Sequence, residues 1–379
     1  MHSKTYISAS SIFTPFGLGT EINWQRMNAG ESAIKLTNSE NIRLKNFFSS
    51  SISEELFLKH TSFLNDSGLT RLEKMMVATI ANIQDKTFID LSDKSTIFVF
   101  STTKGNIDLL VENPDDIRLS LPSMAQAVST FFKNPNTSLV ISNACISGIS
   151  AMILAKNMLE EGEFEQAIVC GGDTLSEFTV SGFNSLNAIS PFPCRPFDKS
   201  RLGLSPGEGC GVLVLSRQKP DLDRPVYISG AATSNDANHI SGPSRTGEGL
   251  NIAIEKAIKL AKIDKKDIGY INAHGTATLY NDESEGLAIT LSGLQEANLH
   301  SLKGYLGHTY GAAGLIESAI AAECFYKKEI LGSIGYSEHG ISVPLNISQY
   351  NKALRTSHAL KTASGFGGCN AALILSTDD

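Results

Sequence analysis

Short runs of β-branched and apolar residues alternate along the chain with longer segments whose apolar positions recur at helical spacing. The short runs predict strands and the longer segments predict amphipathic helices. Strands are predicted at Thr96–Phe100, Ser138–Ser142, Gln166–Cys170, Gly211–Leu215, Ile268–Asn272 and Ala371–Leu375, and helices at Thr70–Ile83, Ile252–Ala261 and Ala312–Phe325. This alternation predicts an α/β fold.

Two parts of the chain resemble each other. Cys145 follows a predicted strand, has Gly148 three residues later and opens an alanine-rich helical segment. His308 has similar surroundings, with Gly311 three residues later and the segment AIAAECF beyond it. A glycine-rich loop follows each after roughly 60 residues, LSPGEGCG in the first case and ASGFGGC in the second. The repetition predicts two similar halves, 1–218 and 219–379, divided near RQKPDLDRP, with a site between them.

Composition narrows the possible functions. The chain has 379 residues, 41% of them hydrophobic and 19% charged, which is typical of a globular protein with one large or two fused domains. The formal charge is -7 and there is no long basic run. Phosphate binding needs clustered Lys and Arg, so nucleic acid is not expected as the main ligand.

Membrane insertion and disulfide bonding are not expected either. No segment approaches the roughly 18 to 20 apolar residues of a membrane span, and the N-terminal MHSKTYISASS lacks the apolar region of a signal peptide. A cytoplasmic protein is therefore predicted. The six cysteines form no C-x-x-C pair and no cluster with histidine at zinc spacing, so no disulfide framework and no metal site are predicted.

Cys145 is a candidate nucleophile. It lies at the predicted start of a helix, where the helix dipole and free N–H groups favour the thiolate and are expected to lower the thiol pKa below about 8.5. The same N–H groups are suited to hold an oxyanion. The alternative is a buried packing thiol, the usual state of a free cysteine.

His274 follows a predicted strand in the segment INAHGTATLYND. Its small neighbours Ala273 and Gly275 leave room for a substrate, and the hydroxyls of Thr276 and Thr278 are placed to line a channel for an amide-bearing ligand. The alternative is a pair of turn-capping threonines beside a histidine whose hydrogen bonds are satisfied within the fold.

A third cluster occurs in SLKGYLGHTYGAAG. His308 lies at a predicted helix start, where the dipole disfavours a charged ring, so it is expected to stay neutral and donate a hydrogen bond. Lys303 and Glu317 pair if the intervening loop folds back, although an isolated pair of this kind is more often a solvated surface contact.

In the loop ASGFGGCN, the glycines let Phe366 present its N–H and ring to a pocket, the alternative being an ordinary tight turn.

Taken together, the motifs NACISG, NAHGTAT, LKGYLGHTYGAAG and GFGGCN closely resemble those of the elongating β-ketoacyl-[acyl carrier protein] synthases, in order and approximate spacing. The resemblance spans nearly the whole chain. It implies a thiolase-like fold, with two pseudo-symmetric halves in five α-β-α-β-α layers. It also implies that Cys145, His274 and His308 form a catalytic triad.

The resemblance also implies a reaction. An acyl chain is carried on Cys145, and His274 and His308 donate to the carbonyl of a malonyl thioester as it loses CO2, after which the resulting enolate attacks the acyl carbon. This decarboxylative Claisen condensation gives a 3-oxoacyl-[acyl carrier protein] and needs no metal or redox cofactor. Further implied roles are support of the histidines by Lys303 and Glu317, an oxyanion hole formed by the N–H groups of Cys145 and Phe366, gating of the acyl pocket by Phe366, and phosphopantetheine contacts by Thr276 and Thr278.

The implied partners are an acyl carrier protein, with Arg195, Lys199 and Arg201 as candidate docking residues, and an identical or homologous synthase subunit. The chain departs from the family in a shortened segment between GNIDLL and NPNTS, which normally shapes the dimer interface and acyl pocket. A contracted link, NAISPFPCRPFD, and Cys369 in place of the usual threonine are further departures. These departures favour a specialised synthase, for example of polyene or polyketide chains, over the housekeeping membrane-lipid enzyme.

Two other functions stay open from the sequence. A non-catalytic partner subunit of the chain-length-factor kind keeps the fold and loses the nucleophile, whereas Cys145 and both histidines are present here. A degradative thiolase needs a second catalytic cysteine in a C-terminal C-x-G motif, which this sequence lacks.

Overall fold

The computed structural model describes residues 4–84, 89–236 and 242–378. Within these ranges, the first part of the chain contains eight strands: β1 (Thr5–Thr14), β2 (Gly17–Leu18), β3 (Lys35–Thr37), β4 (Phe47–Ser49), β5 (Thr96–Ser101), β6 (Leu139–Ile141), β7 (Gln166–Asp173) and β8 (Gly209–Ser216). Its helices are α1 (Thr20–Asn28), α2 (Glu54–Thr61), α3 (Arg71–Gln84), α4 (Leu121–Phe131), α5 (Ser147–Glu161) and α6 (Glu177–Ser185).

The second part begins at Val226. Its strands are β9 (Val226–Asn235), β10 (Ile268–Asn272), β11 (Asn298–His300), β12 (Glu329–Ile330), β13 (Lys352–Ala353), β14 (His358–Gly365) and β15 (Cys369–Thr377). Its helices are α7 (Glu248–Ala261), α8 (Leu279–Leu291), α9 (Lys303–Leu306) and α10 (Ala313–Lys327). Short 3₁₀ turns occupy Ser62–Leu64, Ile107–Val111, Ile117–Leu119, Lys265–Asp267 and Tyr310–Ala312.

The two parts repeat one sheet topology. In the first, the strands lie in the order β1-β8-β7-β5-β6, and in the second in the order β9-β15-β14-β10-β11. Both sets therefore follow the pattern 1-5-4-2-3 when their five strands are numbered along the chain. The directions also agree, since the first two pairings of each set are antiparallel and the last two parallel. A short antiparallel contact between β1 and β9 joins the two sets edge to edge.

The apolar side chains divide into layers because successive residues of a strand face opposite sides of a sheet. Ile97 and Val99 of β5 pack with α5 and α10, whereas Phe98 and Phe100 pack with α3 and α4. On the second sheet, Ile271 belongs to a core shared with α7 and α8. The order of layers is therefore α3/α4, first sheet, α5/α10, second sheet, α7/α8, and the predicted five-layered α/β class is confirmed.

The nine segments predicted from periodicity all contain an element of the predicted type. The largest boundary difference is at α7, which begins four residues before the predicted Ile252, because Gly247 in a left-handed conformation starts the helix at Glu248. The shortened segment after Gly105 contains two 3₁₀ turns and α4. The domain boundary at 218/219 stays a prediction, and it falls between β8 and β9.

Candidate active site

Cys145 projects from a strained turn between β6 and α5. Ala144, immediately before it, has a φ of 44°, in the left-handed region that residues with a Cβ rarely adopt. The Ser147 hydroxyl stabilises the turn, since it accepts a hydrogen bond from the Asn143 N–H and donates one to the Ala144 carbonyl. The backbone thus holds the thiol at the N-terminal end of α5, two residues before the helix begins.

His308 lies in the loop between α9 and α10. Its N–H donates to the Ser205 carbonyl over 2.7 Å, and Gly307 before it has a φ of 65°. The N–H of Tyr310 donates to Nδ1 of His308 over 3.2 Å. Because Nδ1 accepts a hydrogen bond, the proton of the neutral ring is on Nε2, which lies 3.1 Å from the Cys145 Sγ.

His274 follows the end of β10 and is held by a buried carboxylate. Its N–H and that of Gly275 each donate to Glu285 over 2.8 Å. The Lys303 ammonium lies 3.3 Å from the Nδ1 of His274, and an ammonium group can only donate. His274 therefore also carries its ring proton on Nε2.

The three side chains come together at one point. The Cys145 Sγ and one ring nitrogen of each histidine lie within 4.8 Å of one another, and the two imidazole rings are 5.2 Å apart at 84°. All three residues are buried. One sulfur and two N–H donors are thus close enough to act on a single small group. The sulfur and nitrogens are also spaced for a soft metal cation, but Lys303 and Lys361 act on both histidines as nearby positive charges.

Burial decides the protonation states. Burial raises the pKa of the Cys145 thiol to about 12, so the expectation that the helix start would lower it is wrong. Burial is also the first cause that lowers the pKa of His274 and of His308 well below the usual value, with the nearby Lys303 as the second. His308 is therefore neutral, as predicted, although burial rather than the helix dipole is the main reason.

Lys303 and Glu317 form a buried ion pair, not a surface contact. The Lys303 Nζ lies 2.7 Å from Oε1 of Glu317, and both side chains are almost completely enclosed. Burial alone would raise the pKa of Glu317, but Lys303 and Lys361 hold it below the usual value. Lys361, which the sequence interpretation did not select, lies 2.8 Å from the second oxygen, Oε2.

The glycine loop between β14 and β15 lies directly against Cys145. A Cβ added to Gly365 would be 3.0 Å from the Cys145 backbone N, and Gly367 and Gly368 have φ values of 86° and 74°. Only glycine adopts such values readily, so the loop can approach the turn closely. The backbone of Gly365, the residue before Phe366, is thereby placed next to that of Cys145, and the oxyanion hole of Cys145 and Phe366 stays a prediction.

A cavity of about 450 Å³ opens onto the three reactive side chains. Phe366 is 40% exposed at this cavity, and its ring lies 5.3 Å from that of Phe183, which stacks in turn on Tyr310. Thr276 and Thr278 also line it, with their hydroxyls 3.0 Å apart. The structure therefore places all three predicted substrate-binding residues at the cavity that leads to Cys145.

The three candidate docking residues have different environments. Arg201 is buried beside Asp282 and donates to the backbone carbonyls of Asp198, Leu279 and Gly340, so it is not available to a protein partner and its assignment to docking is corrected. Arg195 and Lys199 are exposed, and Lys199 pairs with Glu338 over 2.6 Å. These two remain candidates.

Asp173, at the end of β7, was missed by the sequence interpretation. Its buried carboxylate accepts the Gly311 N–H over 2.7 Å and the Thr102 hydroxyl over 2.8 Å. It thereby ties the first sheet to the loop that carries His308. An isolated Asp after a strand gave no signal of this role, because Gly311 is 138 residues away.

Helices of membrane-spanning length and apolarity are absent from the described ranges of the chain.

Comparisons with known proteins agree with this geometry. Residues 93–220 match the family "Beta-ketoacyl synthase, N-terminal domain" and residues 226–337 match "Beta-ketoacyl synthase, C-terminal domain". The chain is 32% identical over 281 residues to a 3-oxoacyl-[acyl-carrier-protein] synthase 2 of Staphylococcus aureus, covering 69% of each chain. It is 30% identical over 288 residues to a putative polyketide beta-ketoacyl synthase 1 of Streptomyces cyaneus, covering 72% of this chain and 68% of the relative.

Among solved structures, a chain of the complex of the ketosynthase ApeO with its chain length factor ApeC, from Xenorhabdus doucetiae, superposes with a TM-score of 0.87. The alignment covers 99% of this chain and 98% of that one at 24% identity. An identity this low supports the common fold and no finer statement.

Proposed function

Since the chain belongs to the β-ketoacyl synthase family, we propose that it is an acyltransferase that extends an acyl chain on Cys145 by decarboxylative condensation with a malonyl thioester. The observation that carries the proposal is the convergence of the Cys145 Sγ with His274 and His308 beside the cavity. A thiol that accepts an acyl group and two N–H donors for a thioester oxygen are the groups that this reaction needs.

The first half-reaction is thioester exchange. The Cys145 Sγ forms a bond to the acyl carbon, the carbon–sulfur bond to the carrier breaks, and the proton of Cys145 ends on the departing thiol. One thioester replaces another, so the step is nearly isoenergetic and the acyl group stays electrophilic. The N–H groups of Cys145 and Phe366 would hold the carbonyl oxygen as negative charge develops there.

In the second half-reaction the malonyl thioester loses CO2. The electrons of the broken carbon–carbon bond form an enolate, and its oxygen accepts hydrogen bonds from the Nε2–H groups of His274 and His308. The enolate carbon then attacks the acyl carbon, and Cys145 leaves as a thiolate that takes a proton from solvent. No electrons are gained or lost overall, so the proposed reaction needs no metal or redox cofactor.

The proposed partners are an acyl carrier protein and a second synthase subunit, either identical or homologous. The second possibility is motivated by a common fold, because this chain superposes over almost its full length on a chain of the solved complex of ApeO with its chain length factor. Strand β6, half-buried at the edge of the first sheet, is available for such an interface.

The proposed pathway is the elongation of fatty acids or of specialised polyene or polyketide chains. The six free thiols support a reducing, cytoplasmic location.

The proposal is tested by separating the half-reactions. Acyl-carrier and malonyl-carrier thioesters are supplied in turn, with intact-mass measurement of acyl-enzyme and release of labelled CO2 as readouts. Cys145→Ala is expected to abolish acyl-enzyme formation. His274→Ala and His308→Ala are expected to slow decarboxylation by about 100-fold or more while acylation falls less, because each removes one donor to the enolate oxygen.

Cys170→Ala and His60→Ala are the matched controls, since both residues lie outside the cavity lining. Full condensation by Cys145→Ala would refute the proposal. Cleavage of acetoacetyl-CoA in place of condensation would indicate a degradative thiolase. A wild-type protein that is inert in both assays would indicate a non-catalytic partner subunit.

A further inference from the structure

Lys361 is a buried cation for which the proposed reaction has no assigned use. It belongs to β14 and is 0% exposed. Its Nζ lies 2.8 Å from Oε2 of Glu317 and donates to the carbonyls of Thr362 and Asn272 over 2.6 and 3.3 Å. Because Oε1 of Glu317 already pairs with Lys303, one carboxylate bridges two ammonium groups.

The Glu317 carboxylate thus compensates two ammonium groups at once, and the buried Glu285 carboxylate also favours the charged form of Lys361. Replacing an entire buried ion pair or triad by apolar side chains of similar size is often neutral or stabilising, whereas removing one partner alone is destabilising. Glu317 would keep Lys303 as its partner if Lys361 were absent. A neutral side chain at position 361 would leave Oε2 of Glu317 without its ammonium partner, so the unfolding of each variant is measured beside its activity.

The contacts of Lys361 lead to the histidines. Its acceptor Asn272 is the last residue of β10, two residues before His274, and the Asn272 side chain donates to the Glu317 carbonyl over 3.0 Å. Lys361 thus contacts both the strand that delivers His274 and the carboxylate that orients Lys303. Lys303 in turn donates to Nδ1 of His274.

We propose that Lys361 is a positioning residue for the decarboxylation step: by sharing Glu317 it keeps the Lys303 ammonium directed at His274, and its charge keeps the imidazoles neutral, each with its proton on Nε2. The inference rests on the proposed function. Consistent with it, Lys361 contributes to the lowered pKa of His308 after burial and Lys303, and to that of His274 after burial, Lys303 and His308. It is absent from the main contributions at Cys145.

The test measures CO2 release from a malonyl-carrier thioester against pH for the wild type, Lys361→Met and Lys361→Gln. Removing a cation makes the imidazoles easier to protonate, so the acid limb of kcat is expected to move upward by about one pH unit, with KM little changed. Lys361→Gln keeps a hydrogen-bond donor for the carbonyls and gives a second neutral variant if the methionine variant does not fold. Lys266→Met, at an exposed lysine, is the matched control.

A second measurement uses Glu317→Gln. Without the carboxylate, the two lysines face each other unshielded, so adding Lys361→Met is expected to restore part of the decarboxylation that Glu317→Gln removes. If Lys361 had a purely structural role, the losses of decarboxylation rate caused by Glu317→Gln and by Lys361→Met would instead add in the double variant. In these variants, the rate at which iodoacetamide alkylates Cys145 is expected to change less than the decarboxylation rate.

The outcomes separate the two proposals. If wild-type protein releases CO2 and both neutral variants keep its pH profile, the inference about Lys361 is wrong and the proposed function stands. Additive losses in the double variant would also overturn it. If the wild type releases no CO2 from the malonyl thioester, the proposed function fails and the role of Lys361 falls with it.

Discussion

Cys145 combines a reactive position with a thiol that is protonated at rest. The strained turn at Ala144 and the Nε2–H of His308 direct the sulfur toward the cavity, yet burial raises the pKa of the thiol to about 12. The site therefore holds Cys145 as a thiol at rest, and its proton leaves in the course of acyl transfer. The two histidines, whose pKa values are lowered by burial, are donors in this arrangement and not resting acids.

This protonation state predicts how Cys145 reacts with iodoacetamide. The reactive thiolate fraction is expected to rise about tenfold per pH unit between pH 7 and 10, because the whole range lies below the pKa of the thiol. Alkylation of the Cys145 peptide, followed by mass spectrometry at each pH, measures the rate. The fully buried Cys170 is the internal control. If the alkylation rate of Cys145 no longer falls as the pH is lowered below 8, the thiol forms a stable thiolate–imidazolium pair. This result would contradict the assigned protonation state.

Helices α5 and α10 bring Cys145 and His308 together through a glycine contact. A Cβ added to Gly148 of α5 would lie 3.0 Å from the Leu315 backbone N and 3.1 Å from the Gly311 carbonyl oxygen. These are backbone atoms of α10 and of the turn before it, which cannot rotate away as a side chain can. The glycines three residues after Cys145 and His308 thus have a defined role in helix packing.

Gly148→Ala is accordingly expected to lower the free energy of unfolding by about 2 kcal/mol, the usual cost of overpacking. It should also slow acyl-enzyme formation, because separation of the helices moves Cys145 away from His308. Gly182→Ala in α6 is the matched control, since an added Cβ there meets no atom within 4 Å. It should stabilise the protein by about 0.5–1 kcal/mol. Chemical denaturation of both variants measures the difference, and equal stabilities would contradict the packing role.

The two similar parts of the chain are joined by polar contacts as well as by the central helices. Asp198, from the first part, accepts the N–H groups of Ser337 and Glu338 of the second over 2.7 and 2.9 Å, and that of Ser200 over 2.8 Å. Burial alone would raise the pKa of Asp198, but the hydrogen bond from the Ser200 hydroxyl and these backbone hydrogen bonds outweigh burial and hold the pKa below the usual value.

A carboxyl group with a depressed pKa contributes stability above its unfolded pKa of 3.8 and loses that contribution as the pH falls further. Asp198→Asn is therefore expected to reduce stability by about 2 kcal/mol at pH 7 and to flatten the loss of stability below pH 4. Thermal unfolding at several pH values measures both effects. The exposed Asp223→Asn is the control, and a wild-type acid slope in the Asp198 variant would contradict the assignment.

The residues missed by the sequence interpretation share one property. Lys361, Asp173 and Glu285 act on partners in other elements of the fold, namely Glu317, Gly311 and His274, of which His274 is only 11 residues from Glu285. Nothing near them in sequence distinguishes them from ordinary charged residues beside a strand or in a helix. Arg201 is the opposite case, a basic residue in a conspicuous motif that the fold buries.

The order and type of the elements follow from the sequence, because periodicity, glycine positions and turn residues act over a few neighbouring positions. The chemical identities of Cys145, His274 and His308 could be selected in the same way, from short motifs. The folded chain alone fixes the separation of these groups, the position of each ring proton and the high pKa of the thiol. Those properties depend on burial and on charges brought together across the two sheets, and no local pattern encodes either of them.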